Sequence, residues 1–209
     1  MKKKLILPSI TLICFIVVMI LVLTNKTVNF DDKIYDFLRN MQSSRLDFYF
    51  KNITRLGNVF TIIIVIIALF FALKKVNKMR IKMIIIIGST VLLNLILKFI
   101  IRRPRPDHIK LIKQGGYSFP SGHAMISIAL YGFLIYAVNK MIKNKILKIC
   151  LTVILTIIII SIGLSRIYVG VHYPSDILAG YLLSMTILLL TITLCNHFGG
   201  IENDKDGCK

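Results

Sequence analysis

Six apolar runs, each roughly 15–20 residues long and separated by polar or cationic stretches, constrain this chain more than any other feature. A run of that length can cross the ~30 Å hydrocarbon core of a bilayer as a helix. Only a helix or a closed barrel satisfies its own backbone hydrogen bonds there. The runs fall at about 5–23, 57–73, 81–97, 124–142, 146–164 and 177–195. The second is short for a crossing, and the fourth contains Lys140, whose ammonium must snorkel to the surface. Hydrophobic residues make up 56% of the 209 residues and charged residues 17%, against about 45–50% and 25% in soluble domains. That balance excludes an ordinary soluble domain, a disordered chain, a coiled coil and a disulfide scaffold. The expected fold is all-α: a six-transmembrane-helix bundle over residues 1–198, followed by a polar cytoplasmic tail, 199–209.

Charge supports the same layout. The net charge is +18, from 27 Lys+Arg against 9 Asp+Glu. Most cations flank apolar runs, where they meet anionic headgroups and set topology. No basic patch is interleaved with stacking aromatics, so nucleic acid is not an expected partner. The stretches 74–82 and 140–148 are dense in cations and free of acids. With Lys2, Lys3 and Lys4 they mark the cytoplasmic side, which puts both termini inside, although the overall Lys/Arg count is near balance. The first run follows a lysine triplet but is too long for a signal peptide and lacks a small-x-small cleavage site, so it reads as an anchor. Segment 31–56 mixes Ile34, Phe37, Leu38, Met41, Phe48, Phe50 and Ile53 with charges, suiting interfacial helices or a cap over the neighbouring loops. Cys14, Cys150, Cys195 and Cys208 show no paired spacing and read as packing residues.

Two loops concentrate polar groups. One begins at Lys98, continues through Arg102-Arg103-Pro104-Arg105-Pro106 and closes with Pro120-Ser121-Gly122-His123. The other holds Ser165-Arg166, His172 and Asp176. Counting spans places both on one face, assigned as external, so four helix ends can meet there. Lys98, Arg105 and Arg166 bring three positive charges, two of them guanidinium forks matched to phosphate oxygens. Ser121 and Gly122 precede a helix, where free N–H groups and the dipole favour an anion. Asp176 lies four residues after His172, so the two can share a helix face. A carboxylate accepting from one ring nitrogen leaves the other free to attack phosphorus, while a second imidazole, His123, protonates the leaving oxygen and then activates water. The cations supply the charge stabilisation, so no metal or other cofactor is expected. His108, His197, Arg102, Arg103, Lys110 and Lys113 read as surface or topology residues. Arg103-Pro104 could compete with Arg105-Pro106 as the phosphate-binding pair. Gly163, Gly170 and Gly180 read as close-packing or turn residues.

Lys98, six residues, Arg105-Pro106; Pro120-Ser121-Gly122-His123; Ser165-Arg166, five residues, His172, three residues, Asp176. This pattern resembles the type 2 phosphatidic acid phosphatase superfamily, most closely over 98–180. The resemblance implies that Lys98, Arg105, Ser121, Gly122 and Arg166 bind phosphate. It makes His172 the nucleophile, His123 the acid/base, and Asp176 the residue that orients His172. It further implies a membrane hydrolase acting on a lipid phosphate or pyrophosphate.

Among lipid substrates the leading expectation is undecaprenyl pyrophosphate, followed by phosphatidylglycerophosphate and phosphatidic acid. The reading from another class is a lipid-phosphate transporter or binder that shares the anion pocket without turnover. Both histidines and Asp176 argue against it, because binding needs only the cations.

Overall fold

The computed structural model describes residues 2–107 and 110–198. Within them the chain is helical and contains no strand. In order come α1 (Lys2–Leu23), α2 (Val28–Asn40), α3 (Ser44–Ile53), a 3₁₀ turn (Thr54–Gly57), α4 (Val59–Ala72), α5 (Asn77–Ile101) and α6 (Gly122–Ser127). A π-helical turn (Ile128–Gly132) then carries α6 into α7 (Phe133–Met141), and α8 (Lys145–Tyr168) and α9 (Pro174–Phe198) follow. His108, the tail 199–209 and Cys208 lie outside the described residues.

Five helices are long and apolar enough to span a bilayer: Lys3–Leu23, Asn77–Ile101, Gly122–Met141, Lys145–Tyr168 and Pro174–Phe198. A sixth candidate crossing is the bent pair Ser44–Gly57 and Val59–Ala72, a broken span or a re-entrant loop. Val59–Ala72 has 14 residues, about 21 Å at 1.5 Å per residue, too short alone for a ~30 Å core. Ser44–Gly57 adds to it across a 50° bend at Asn58. The protein is therefore a membrane-embedded, multi-span helical bundle.

Helix α9 is the axis of the bundle, with α1, α5, α6 and the π turn packed against it. Small residues on its inner face, Ala179, Gly180 and Ser184, are fully or almost fully buried. They let the neighbouring backbones come close, as in other membrane helix pairs. A Cβ at Gly180 would sit 3.0 Å from Ser121 O. Ser184 Oγ donates to Met125 O at 2.7 Å, and Thr11 and Thr186 hydroxyls share a 2.8 Å hydrogen bond between α1 and α9. Gly163 packs against the Tyr181 ring and Gly170 takes a positive φ of 75° at the turn after α8, in keeping with the packing and turn roles read from sequence.

Segment 31–56 packs over neighbouring helix ends, the cap that its composition allowed. Phe30, Phe37 and Phe48 face outward and are 46–74% exposed, while Asp31 and Tyr35 point inward and are buried. Helices α2 and α3 thus keep an apolar outer side and close over the tips of α8 and α9.

One cation departs from expectation. Lys82 is not in a loop but on α5, 2% exposed, donating to Tyr136 Oη at 3.0 Å and Asn196 Oδ1 at 2.6 Å. Its four-carbon stem and two neutral acceptors let an ammonium sit inside the bundle end, joining α5, α7 and α9. His197 is exposed at that same end of α9.

Candidate functional site

The C-terminal tips of α5 and α8 and the N-terminal tips of α6 and α9 meet at one end of the bundle. Helix α5 stops at Ile101, where Arg102 takes the left-handed conformation with φ of 50°. The chain then runs as an irregular loop to Ser121, the N-cap of α6. Helix α9 restarts the chain at Pro174, a residue suited to a first helical turn.

His172 sits at the centre, 3% exposed. Its Nδ1 lies 3.3 Å from Asp176 Oδ2, one helical turn on, and its Nε2 lies 3.2 Å from Arg105 Nη1. A guanidinium only donates, so Nε2 must be the acceptor there. The proton is assigned to Nδ1, facing the carboxylate. Burial, the largest cause, pushes the imidazole down to about 4. The Asp176 hydrogen bond and charge oppose that shift, and Arg166 and Arg105 add to it. His172 is therefore neutral near pH 7, with its Nε2 lone pair turned to Arg105.

Arg105 is fixed by carbonyls of its own loop and of the turn between α8 and α9. It donates to Gly115 O, Gly116 O and Val171 O at 2.7–3.1 Å. Its pKa is lowered by burial. Arg166, 1% exposed, donates from Nη1 to Thr54 Oγ1 at 2.8 Å and from Nη2 to Gln114 Oε1 at 3.0 Å. Among the described residues its Nε has no partner. Lys98 Nζ donates to Tyr117 O at 2.7 Å.

His123 opens α6. Its Nε2 lies 3.0 Å from Asn58 Oδ1, and a Cβ on Gly57 would collide with its ring at 2.6 Å. The fields of Arg166, His172, Arg105 and Lys98 all act on it. At the α6 tip, Ala124 N–H goes to Ser121 Oγ and Met125 N–H to Ser121 O. The N–H groups of Gly122 and His123 precede the first of these bonds and stand at the open helix end. Ser121 is itself held by donating its N–H to Asp176 O at 3.1 Å. Gly122 faces Asn94 Oδ1, which a Cβ would approach to 3.1 Å.

All eight residues singled out by spacing thus lie at the same end of the bundle. Four partners were not anticipated: Thr54, Asn58, Gln114 and Asp31. A fifth, Arg103, was read as a topology cation. Instead its side chain is 14% exposed and bridges Asp31 and Asp176. One signal pointed that way: with only 9 acids in the chain, an aspartate such as Asp31 close to the site face needs a cationic partner.

Fold and site together define a multi-span membrane protein with a cluster of cations and histidines at one end of its helices. The family model described as the PAP2 superfamily matches residues 80–198. The chain belongs to that superfamily. Over 112 residues it is 35% identical to phosphatidylglycerophosphatase B of Bacillus subtilis (strain 168), covering 52% of this chain and 54% of that relative. The match therefore spans about half the length of that protein. It is 25% identical over 176 residues to an undecaprenyl-diphosphatase of Sulfolobus acidocaldarius, covering 81% and 80% of the two chains. The crystal structure of a transmembrane PAP2-type phosphatidylglycerolphosphate phosphatase from Bacillus subtilis superposes with a TM-score of 0.81 at 27% identity, over 95% of this chain and 98% of that one.

Proposed function

We propose that this protein is a membrane lipid phosphatase that hydrolyses a phosphate or pyrophosphate through a phosphohistidine. The observation that carries the reading is the placement of His172. It is buried, with Nδ1 held on Asp176 and Nε2 turned to Arg105, the geometry of an oriented nitrogen nucleophile.

His172 Nε2 forms a bond to phosphorus as the bond from phosphorus to the lipid oxygen breaks. That oxygen takes a proton from His123 in its imidazolium form, whose ring Asn58 positions through Nε2. His123, now neutral, takes a proton from water, whose oxygen attacks phosphorus and frees Nε2. Asp176 keeps the proton of Nδ1 in place and stabilises the imidazolium character that develops. Arg105, Lys98 and Arg166, with the N–H groups of Gly122 and His123 at the α6 tip, neutralise the equatorial oxygens. The unpartnered Nε of Arg166 is a donor that a phosphate oxygen would satisfy.

The site lies at the helix tips, at headgroup depth, so a lipid can keep its tails in the bilayer while its phosphate enters. The cation-dense ends of α5, α7 and α8 are at the opposite end of the bundle. We therefore place that end in the cytoplasm and the site outside. Two substrates have support in the names of relatives: undecaprenyl pyrophosphate and phosphatidylglycerophosphate. The pocket reads the phosphoryl group they share.

The test is a side-by-side panel of undecaprenyl pyrophosphate, phosphatidylglycerophosphate and phosphatidic acid with purified protein, with His172→Ala as control. Phosphate release is expected for at least one lipid and background release from the variant, together with an acid-labile, alkali-stable phosphoprotein in quenched wild type. Binding without turnover in both proteins would favour a lipid-phosphate carrier instead.

A further inference from the structure

Asp176 divides its charge between two side chains, and its Oδ2 also accepts from the Tyr173 N–H at 3.0 Å. Its Oδ2 faces His172 at 3.3 Å, while its Oδ1 accepts from Arg103 Nη1 at the shorter distance of 2.7 Å. Arg103 Nη2 reaches the other way, to Asp31 Oδ2 at 2.9 Å. Asp31, on α2, is 1% exposed and also accepts from Ser175 N at 2.8 Å and Ser175 Oγ at 2.7 Å. The result is a continuous chain, Asp31–Arg103–Asp176–His172, that crosses from α2 through the loop after α5 to the start of α9. A buried carboxylate is costly unless paired, and here one guanidinium bridges two of them, with Nη1 on Asp176 and Nη2 on Asp31.

We propose that Arg103 and Asp31 form a charge clamp behind the nucleophile, positioning Asp176 and setting how strongly His172 holds a proton. This rests on the reading of His172 as the attacking group. Neither residue lines the anion pocket as Lys98, Arg105 and Arg166 do, so both are positioning residues rather than catalytic ones. Arg103 draws charge density from Asp176 and so favours the neutral, nucleophilic imidazole. Asp31 returns part of that charge and stops Arg103 from taking the carboxylate altogether. Tyr173 caps the arrangement, its ring centroid 3.9 Å from the Arg103 guanidinium carbon.

The charged groups facing His172 from other elements are Arg105 in the loop and Arg166 on α8, with His123 on α6 also within its field. Arg103 also borders a polar cavity of about 340 Å³ whose lining includes Asp32 and Asp107. All of these stay constant when Arg103 or Asp31 is changed, so differences in pH profile isolate the clamp.

The experiment measures kcat/KM against pH for full-length wild type, Arg103→Gln, Arg103→Lys and Asp31→Asn, on whichever lipid phosphate the wild type turns over. Removing the cation stabilises imidazolium, so Arg103→Gln is expected to move the acid limb upward by about 1 pH unit. Asp31→Asn removes the balancing anion and is expected to move it down. Arg103→Lys, which keeps the charge, is expected to hold the limb near its wild-type position while lowering kcat. Uniform loss of activity with no movement of the limb in either charge variant overturns the clamp, since that is what a merely structural role would give. If Arg103→Gln does not fold, the near-isosteric Asp31→Asn decides alone: a downward shift supports the clamp, and a fixed or rising limb overturns it. Failure of the wild type to hydrolyse any lipid phosphate would instead overturn the phosphatase reading.

Discussion

Asn58 Oδ1 lies 3.0 Å from His123 Nε2, so the residue at the bend before α4 holds the ring that opens α6. The bend is what makes this contact: a straight helix through residues 44–72 would carry Asn58 into the bilayer rather than across the helix tips. Asn58→Ala is expected to lower kcat about 10-fold with little change in KM. That is less than the 10²-fold or more expected from removing the general acid itself. Steady-state kinetics on Asn58→Ala and His123→Ala, measured together, check the ranking. An equal loss in both would mean that Asn58 does more than orient the ring.

The pH dependence follows from His172. Its pKa in the folded protein, about 4, lies below the ordinary imidazole value of 6.5. The neutral form needed for attack therefore persists well into acid. The His172 limb of kcat/KM is expected near pH 4, with substrate ionisation adding its own limb in common to all variants. Asp176→Asn removes a group that raises this pKa, so the limb moves lower still while kcat drops by about 10²–10⁴-fold. The same shift bears on stability. Between pH 6.5 and 4 the unfolded state binds a proton that the folded state refuses, so stability falls as pH falls through that window. Thermal unfolding in His172→Gln is expected to depend less on pH across it, and equal slopes in both proteins would contradict the burial argument.

Most of the bundle was legible as uninterrupted apolar runs, because a bilayer-spanning helix needs little else. The second span was not. The run at 57–73 begins where the bend occurs, and the part before it, α3, carries Arg45, Asp47 and Lys51 among its aromatics. Those charges hide a helix that meets α4 across a 50° bend. The site divided in the same way. Lys98, Arg105, Ser121, Gly122, His123, Arg166, His172 and Asp176 follow fixed spacings around four helix tips. The residues that hold them come from far along the chain: Thr54 is 112 positions from Arg166, and Asp31 is 144 from Ser175. No periodicity connects such pairs. Arg103 and Lys82 were misread for one shared reason. A cation beside an apolar run is normally a topology signal, and only tertiary packing shows that these two are buried.

The charge stabilisation in the proposed mechanism comes from Lys98, Arg105 and Arg166. Hydrolysis is accordingly expected to be unchanged by excess chelator, assayed in buffer stripped of divalent ions. Loss of activity that magnesium restores would show that the three cations are not sufficient.

Arg166 gives the sharpest test of the anion pocket. It is almost fully buried, yet among the described residues its Nε has no hydrogen-bond partner, while Nη1 and Nη2 are engaged by Thr54 and Gln114. Leaving a buried donor unpaired costs about 1–3 kcal/mol, and more when the group is charged. An oxyanion placed against Nε would recover that cost. Phosphate or vanadate is therefore expected to raise the unfolding temperature of the wild type, with stabilisation approaching about 2.7 kcal/mol at 100 times Kd. Lysine offers a point charge without the fork, so Arg166→Lys is expected to lose most of this stabilisation and about 10²–10³-fold in kcat. Thr54→Val frees Nη1 but keeps the guanidinium, and its loss is expected to be about 10-fold or less, on the scale of one hydrogen bond to a charged group. Full retention of vanadate stabilisation and turnover in Arg166→Lys would place the anion elsewhere in the bundle.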